Sequence, residues 1–396
     1  MSAGDWPGIS PRVVSRNLII NDLDVHIFEA KPALTTARSP PLIILLHGFP
    51  ELAYSWRKVL VPLSDAGYHV VAPDQRGYGR TKRRVQSESH DRLHFEDDLS
   101  PFRMLSLATD VVALVYALGY QSAAAVVGHD YGSIVAGHCA LIRPDLFKSV
   151  VMMSAPYTGV PALPLNKDPP AESLVQSLSQ HLANLDPPRK HYTVYYSTAN
   201  ANEDMMKAPQ GLHSFLRAYY HVKSADWAQN KPYPLPSLSA TSFAQLPYYY
   251  VMLSQETMAE TVERDAPSTS EAKNNTWLTE AELAVYTSEY AATGFQGGLN
   301  RYRCMTDVQW SKELMVFSGK RIEVPAMFIA GKQDWGVYQH PGAAEIMRQK
   351  ICMNMDEADF VLVEGAGHWV QQETPEAVVE HLLRFVEKQQ SVILAA

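Results

Sequence analysis

Three residues, Asp130, Asp334 and His368, have types and a chain order suited to covalent chemistry. Asp130 stands in Ala125-Val126-Val127-Gly128-His129-Asp130-Tyr131-Gly132-Ser133, an apolar run that turns into a helix-like Ile134 to Ala140. A strand that turns abruptly into a helix strains the residue at its apex and tolerates only small neighbours, here Gly128 and Gly132, so the attacking group projects above the strand. A carboxylate presented in this way attacks a saturated carbon bearing a leaving group. The alkyl ester it forms is then opened by water activated by a base. The plain alternative is a helix N-cap, because an aspartate before a helix stabilises free N–H groups anyway.

A second signal follows the apolar run Leu42 to Leu46, which empties into His47-Gly48-Phe49-Pro50. Gly48 lets backbone approach a ligand closely, and Pro50 withdraws one donor and leaves the Phe49 N–H free to point inward. With the Tyr131 N–H it makes a two-donor anion hole; read alone, the loop is an ordinary Gly-Pro turn. Asp334 lies in Gly331-Lys332-Gln333-Asp334-Trp335-Gly336 after the run Val324 to Ala330. His368 lies in Gly365-Ala366-Gly367-His368-Trp369 after Phe360 to Val363. Nucleophile, acid and histidine thus come in one order, each just past an apolar run. Glu364 is a rival partner for His368, set aside because it falls at the strand end and not in the loop where the acid is expected.

The elements that must position these groups alternate. Leu18 to Ile20 and Val25 to Phe28 read as a hairpin, with a Pro-rich linker from Lys31 to Pro41. Trp56 to Ala66 and Leu105 to Leu118 carry helical spacing, and His69 to Pro73 and Val150 to Met153 read as buried strands. Asp74 and Arg76 pin the loop between them, and the polar stretch Lys82 to Pro101, with His90 and His94, is a solvated excursion. The pattern predicts a mostly parallel, doubly wound α/β sheet. The rhythm stops after Ser154-Ala155-Pro156 and resumes at Val324. Between them lie helical pieces such as Leu174 to Leu185 and Glu280 to Ala292, rich in proline and tyrosine. We therefore expect a core of 1–156 and 306–396 with a helical cap of 157–305 over the carboxyl ends of the strands.

The 396 residues suffice for such a core and insert. A net charge of −8 disfavours nucleic acid or an anionic membrane as partner, and the substrate is expected to be uncharged. Cys139, Cys304 and Cys352 are too widely spaced to suggest a disulfide framework or a CxxC metal site. No secretion signal or membrane-length apolar run stands out, so a soluble, cytoplasmic protein is expected.

These motifs resemble the α/β-hydrolase fold, and within it the epoxide hydrolase family, from about Leu18 to Val386. His47-Gly48-Phe49-Pro50 looks like that family's oxyanion motif, Gly128-His129-Asp130-Tyr131-Gly132 like its aspartate elbow, and Gly365-Ala366-Gly367-His368-Trp369 like its histidine loop. Thr293-Gly294-Phe295-Gln296-Gly297-Gly298-Leu299-Asn300-Arg301-Tyr302-Arg303 resembles the segment that ends the family's lid and carries a catalytic tyrosine, here Tyr302. The resemblance implies a second lid tyrosine upstream. Spacing to Gln255-Glu256 selects Tyr250, with Tyr248 and Tyr249 as alternatives. The implied reaction converts an epoxide and water to a diol without cofactor or metal: Asp130 attacks, Tyr250 and Tyr302 donate to the oxygen, and His368, oriented by Asp334, activates water. An aromatic lid suggests hydrophobic aryl or alkyl epoxides. The oligomeric state is left open, a homodimer included. A haloalkane or haloacid dehalogenase shares the elbow, although Tyr131 and Phe49 stand where halide donors would. A ligand-binding protein that keeps the fold without catalysis is the remaining alternative.

Overall fold

The computed structural model describes residues 6–33, 39–84, 92–164 and 174–395. His90, and parts of the 31–41 linker, the 82–101 segment and the lid, lie outside them. In chain order the strands are Val14–Ile20 (β1), Leu23–Ala30 (β2), Leu42–Leu46 (β3), His69–Pro73 (β4), Lys82–Arg83 (β5), Ala125–His129 (β6), Val150–Met153 (β7), Arg189–His191 (β8), Val251–Leu253 (β9), Ile322–Gly331 (β10), Cys352–Asn354 (β11) and Phe360–Val363 (β12). All but β8 and β9 join one sheet, ordered β1-β2-β4-β3-β6-β7-β10-β11, with β5 on β2 and β12 on β10. The β1–β2 hairpin turns at Asn21, which adopts φ 48°. β2 runs antiparallel to β4 and β5, and the pairs among β3, β4, β6, β7, β10, β11 and β12 are all parallel.

Parallel strands covered on both faces need no polar alternation, and β3, β4, β6 and β7 are buried at every position. Ile43 and Leu45 of β3 pack into the layer shared with Trp56, the carboxyl-terminal helix Pro375–Ala395 and the cap. Leu42, Ile44 and Leu46 face the helices Met104–Ala117 and Tyr131–Ile142 on the other side. The helix expected over Trp56 to Ala66 is shorter: a 3-10 turn at Ala53–Trp56 is followed by a helix at Leu60–Asp65. Pro62 has no N–H, which is harmless only in a first helical turn, so the helix begins just before it. Among the described residues no helix is long and apolar enough to cross a membrane.

Between β7 and β10 the chain builds the mainly helical cap, which also contains a small antiparallel β8–β9 sheet that its three-residue strands hid from a pattern reading. The cap helix Glu280–Thr293 starts at a capping box made by Thr279 and Glu282 and stops at Gly294, φ 71°. A buried cation clasps cap to core. The fully covered Arg57 side chain donates to Glu282 Oε1 at 2.8 Å, to the Trp277 carbonyl at 3.0 Å and to Gln372 Oε1 at 2.6 Å. Removing one partner of a buried pair leaves the other charge uncompensated. Arg57→Ala is therefore expected to lower unfolding free energy by about 3–5 kcal/mol. Chemical denaturation measures this, and a loss below about 1 kcal/mol would show that the clasp is dispensable.

Candidate active site

The loops after β3, β6, β10 and β12 leave the same edge of the sheet, and each delivers one group. Asp130 follows β6 at φ 53° and ψ −120°, a backbone state that side-chain-bearing residues rarely hold, before the helix Tyr131–Ile142 begins. The surroundings impose it. A Cβ on Gly128 would lie 1.9 Å from the Gly132 carbonyl oxygen, and one on Gly132 would lie 2.4 Å from that of Leu46. The Asp130 N–H donates to the Met153 carbonyl at 3.0 Å, tying the apex to β7.

The Asp130 side chain keeps 15% of its surface exposed, so it is covered yet reachable. Its Oδ1 accepts from the Phe49 N–H at 2.9 Å, and its Oδ2 lies 3.4 Å from His368 Nε2. The other imidazole nitrogen, Nδ1, meets the Asp334 carboxylate at 3.0 and 3.1 Å. A carboxylate accepts, so Nδ1 carries the proton and Nε2 is left as the base. Asp334, 1% exposed, also accepts from the Gly336 N–H at 2.7 Å. The Tyr131 N–H opens its helix, where first-turn donors have no intrahelical acceptor. Glu364 points away, paired at the surface with Lys332.

Electrostatics in this enclosure favours ionised carboxylates. Burial pushes Asp130 up, but the hydrogen bond and charge of His368, followed by the charge of Lys223, outweigh it and hold the carboxyl well below its ordinary value. Asp334 is likewise lowered against its burial by His368. His368 is pulled down by burial and Lys223 but pushed up more strongly by Asp334 and Asp130, and ends above its ordinary value.

The remaining motif residues brace these groups. His47 accepts from the Gln75 N–H at 3.1 Å and packs on Tyr78, and burial brings its imidazole down to about 4, so it is neutral. His129 is fully buried: Nε2 donates to the His368 carbonyl at 2.7 Å and Nδ1 meets Glu51 Oε2 at 2.6 Å. Trp369 donates from Nε1 to the Tyr220 carbonyl at 2.8 Å and sets its ring 4.7 Å from that of His368. Sequence reasoning passed over Glu51, Ser154 and Glu373. Glu51, the residue after Pro50, accepts from Gln371 and Gln372 as well as facing His129. Ser154, at φ 64°, donates to the His368 carbonyl at 3.1 Å. Glu373 accepts from the Gly367, Trp369 and Ala225 N–H groups at 3.0, 2.9 and 2.8 Å. Only Glu51 left a trace in the sequence, by its place in the motif.

Aromatic rings from the cap surround the elbow. Tyr302 packs on Phe49 at 5.6 Å, on Tyr196 at 5.0 Å, on Tyr192 at 5.9 Å and on Tyr131 at 6.2 Å. Its hydroxyl is raised well above 10 by burial first and the Asp130 charge second, so the phenol stays protonated. The three upstream candidates separate. Tyr248 lies between the guanidinium groups of Arg189 and Arg264, and the Tyr249 hydroxyl donates to Asn230 Oδ1 at 2.9 Å. Tyr250 is 5.4 Å from Tyr192, whose ring stands between it and Tyr302. After burial, Asp130 is the leading influence on Tyr192, whereas Asp334 leads on Tyr250. The Asp130 charge thus weighs more on Tyr192 than that of Asp334 does, and sequence reasoning missed this tyrosine. The two tyrosines meet because β8 pairs with β9, and the Tyr192 N–H donates to the Tyr250 carbonyl at 2.9 Å.

A carboxylate elbow with an acid and a histidine at neighbouring strand ends defines a hydrolase of the α/β class. A profile of the alpha/beta hydrolase fold matches residues 41–375. Epoxide hydrolase A of Mycobacterium tuberculosis is 32% identical over 87% of this chain and 90% of its own. Epoxide hydrolase 3 of Siraitia grosvenorii is 29% identical over 93% and 99%. The structure of an epoxide hydrolase from an endophytic Streptomyces superposes with a TM-score of 0.73, 27% identity and 96% and 97% coverage. Potato epoxide hydrolase I does so with 0.70, 28%, 95% and 99%. The chain belongs to the α/β hydrolases and, among them, to the epoxide hydrolases.

Space around the carboxylate is tight enough to test. A Cβ on Gly48 would lie 2.4 Å from Asp130 Oδ1 and Cβ. Gly48→Ala is expected to slow the reaction with an epoxide by about 10²-fold, the scale of losing one oxyanion donor, with circular dichroism unchanged. Stopped-flow protein fluorescence on mixing with an epoxide measures the rate, and parental speed would show that the loop yields.

Proposed function

We propose that this epoxide hydrolase works through a covalent ester on Asp130. The observation that carries the reading is one line of contacts: Phe49 N–H to Asp130, Asp130 to His368 Nε2, and His368 Nδ1 to Asp334. Oδ2, the oxygen not held by Phe49, attacks an epoxide carbon, the carbon–oxygen bond breaks, and a phenol gives its proton to the alkoxide. His368 Nε2 then takes a proton from water, whose oxygen adds to the ester carbonyl. The resulting oxyanion is held by the Phe49 and Tyr131 N–H groups until the diol leaves. His368 returns its proton to the alkoxide expelled as the ester carbon–oxygen bond breaks, and the second proton of the water passes from the Asp130 carboxyl to the phenolate, so Asp130 is again a carboxylate, carrying one oxygen from water.

Tyr302 is one donor. For the second, the weight of the Asp130 field favours Tyr192, with Tyr250 as a support behind it and the alternative donor. The rings of Phe49, Tyr131, Tyr192, Tyr196 and Tyr302 form an apolar wall suited to aryl and alkyl epoxides. We place the cap at 157–305, because the sheet strand β7 ends at Met153, the sheet resumes only with β10 at Ile322, and the helices between them end the lid with Gln296–Thr306. The three cysteine thiols are unpaired and buried, which suits a cytoplasmic setting.

His368→Gln exposed to a panel of epoxides and haloalkanes is expected to gain the mass of a whole epoxide on the peptide containing Asp130. Gain of an alkyl group without its halogen would reassign the chemistry to dehalogenation, and no adduct from a folded variant would overturn the covalent reading. Among Tyr302→Phe, Tyr192→Phe and Tyr250→Phe, the first two should each slow ester formation by about 10²-fold or more. A larger loss at Tyr250 would make it the second donor.

A further inference from the structure

Lys223 ends the cap helix Leu212–Lys223 and is only 5% exposed, although no motif includes it. Its ammonium makes no ion pair with a carboxylate among the described residues. It stands over aromatic rings instead, 5.1 Å from the centroid of Tyr250, 5.4 Å from Tyr219, 5.6 Å from Trp369 and 5.9 Å from Tyr249. Ring faces attract a cation, and a helix carboxyl terminus does the same. The backbone places it against the base, since the Lys223 carbonyl accepts from the His368 N–H at 2.8 Å. Accordingly its charge acts on both Asp130 and His368.

We infer that Lys223 is an electrostatic positioning residue, supplying a positive charge that favours the anion of Asp130 and opposes protonation of His368, the base for hydrolysis. The inference rests on the covalent mechanism above. Asp130 and Asp334 crowd a largely covered site, and His368 between them gains or loses a proton with pH. If His368 met this demand by becoming a cation, it would neutralise the nucleophile and could not take a proton from water. A lysine fixed in an aromatic cage removes that conflict. The groups facing it are Tyr219 on its own helix, Tyr249 and Tyr250 before β9, and Trp369 on the histidine loop, and the charges it acts on are Asp130 of the elbow and His368 of that loop. Glu373 stands behind, bound to the Ala225 N–H.

The sign follows directly. Lys223 lowers Asp130 and His368 alike, so without its charge both take up protons at higher pH. In full-length Lys223→Met, the acid limbs of kcat/KM and kcat on an aryl epoxide are expected to move to higher pH by about one unit. Turnover near pH 6 then falls about tenfold while turnover near pH 9 changes little. Lys223→Arg, which keeps the charge, should restore most of the profile. A Lys223→Met profile parallel to the parent, whether equal or reduced by one factor at every pH, overturns the inference; melting curves identify a variant that fails to fold, and the arginine variant then decides. Ester trapping in His368→Gln alone separates the two levels, because its absence there refutes the covalent reading and not the role of Lys223.

Discussion

The constraint on which the site depends is the contact between backbone and backbone at Gly128 and Gly132. Where β6 meets the helix Tyr131–Ile142 there is no room for a single methyl group, and the residue between the glycines is forced to positive φ. That strain needs surroundings that leave the chain no alternative. Parallel pairing of β6 with β3 and β7, and the Asp130 N–H bond to Met153, supply them. Every other feature of the site is arranged around a carboxylate whose position the sheet has already settled.

A carboxylate in that position has a second requirement, because it must remain charged while covered. Core and cap answer it jointly. The core provides the Phe49 N–H and the His368–Asp334 pair, and the cap brings Lys223 and the phenols. A buried layer beneath, Glu51 with His129, Gln371 and Gln372, links the elbow to the histidine loop and continues through Arg57 to Glu282 of the cap. Buried hydrogen bonds of this kind hold one another in place, so the geometry of the histidine depends on residues several bonds away.

Much of this was legible in the chain. Short apolar runs emptying into glycine-rich loops mark strands that deliver chemistry, and Asp130, His368, Asp334 and Phe49 were all readable by that logic before their distances were known. The pattern failed where partnership is purely spatial. Tyr192 lies 58 residues before Tyr250 in the chain and meets it only because two three-residue strands pair. Lys223 and Glu373 occupy ordinary helical sequence, and their significance comes from what folds against them. Arg76 illustrates an intermediate case: as a loop-pinning residue it was foreseeable, but its partners Asp22 and Asp110 were not.

The cap is joined to the catalytic loops largely through main-chain atoms. The Lys223 carbonyl receives the His368 N–H, the Tyr220 carbonyl receives Trp369 Nε1, and the Trp277 carbonyl receives Arg57 and Lys58. A carbonyl oxygen is present whatever side chain its residue carries. Lid sequence can therefore drift widely over generations while the docking of lid on core persists, and new substrate preferences can be explored without rebuilding the joint.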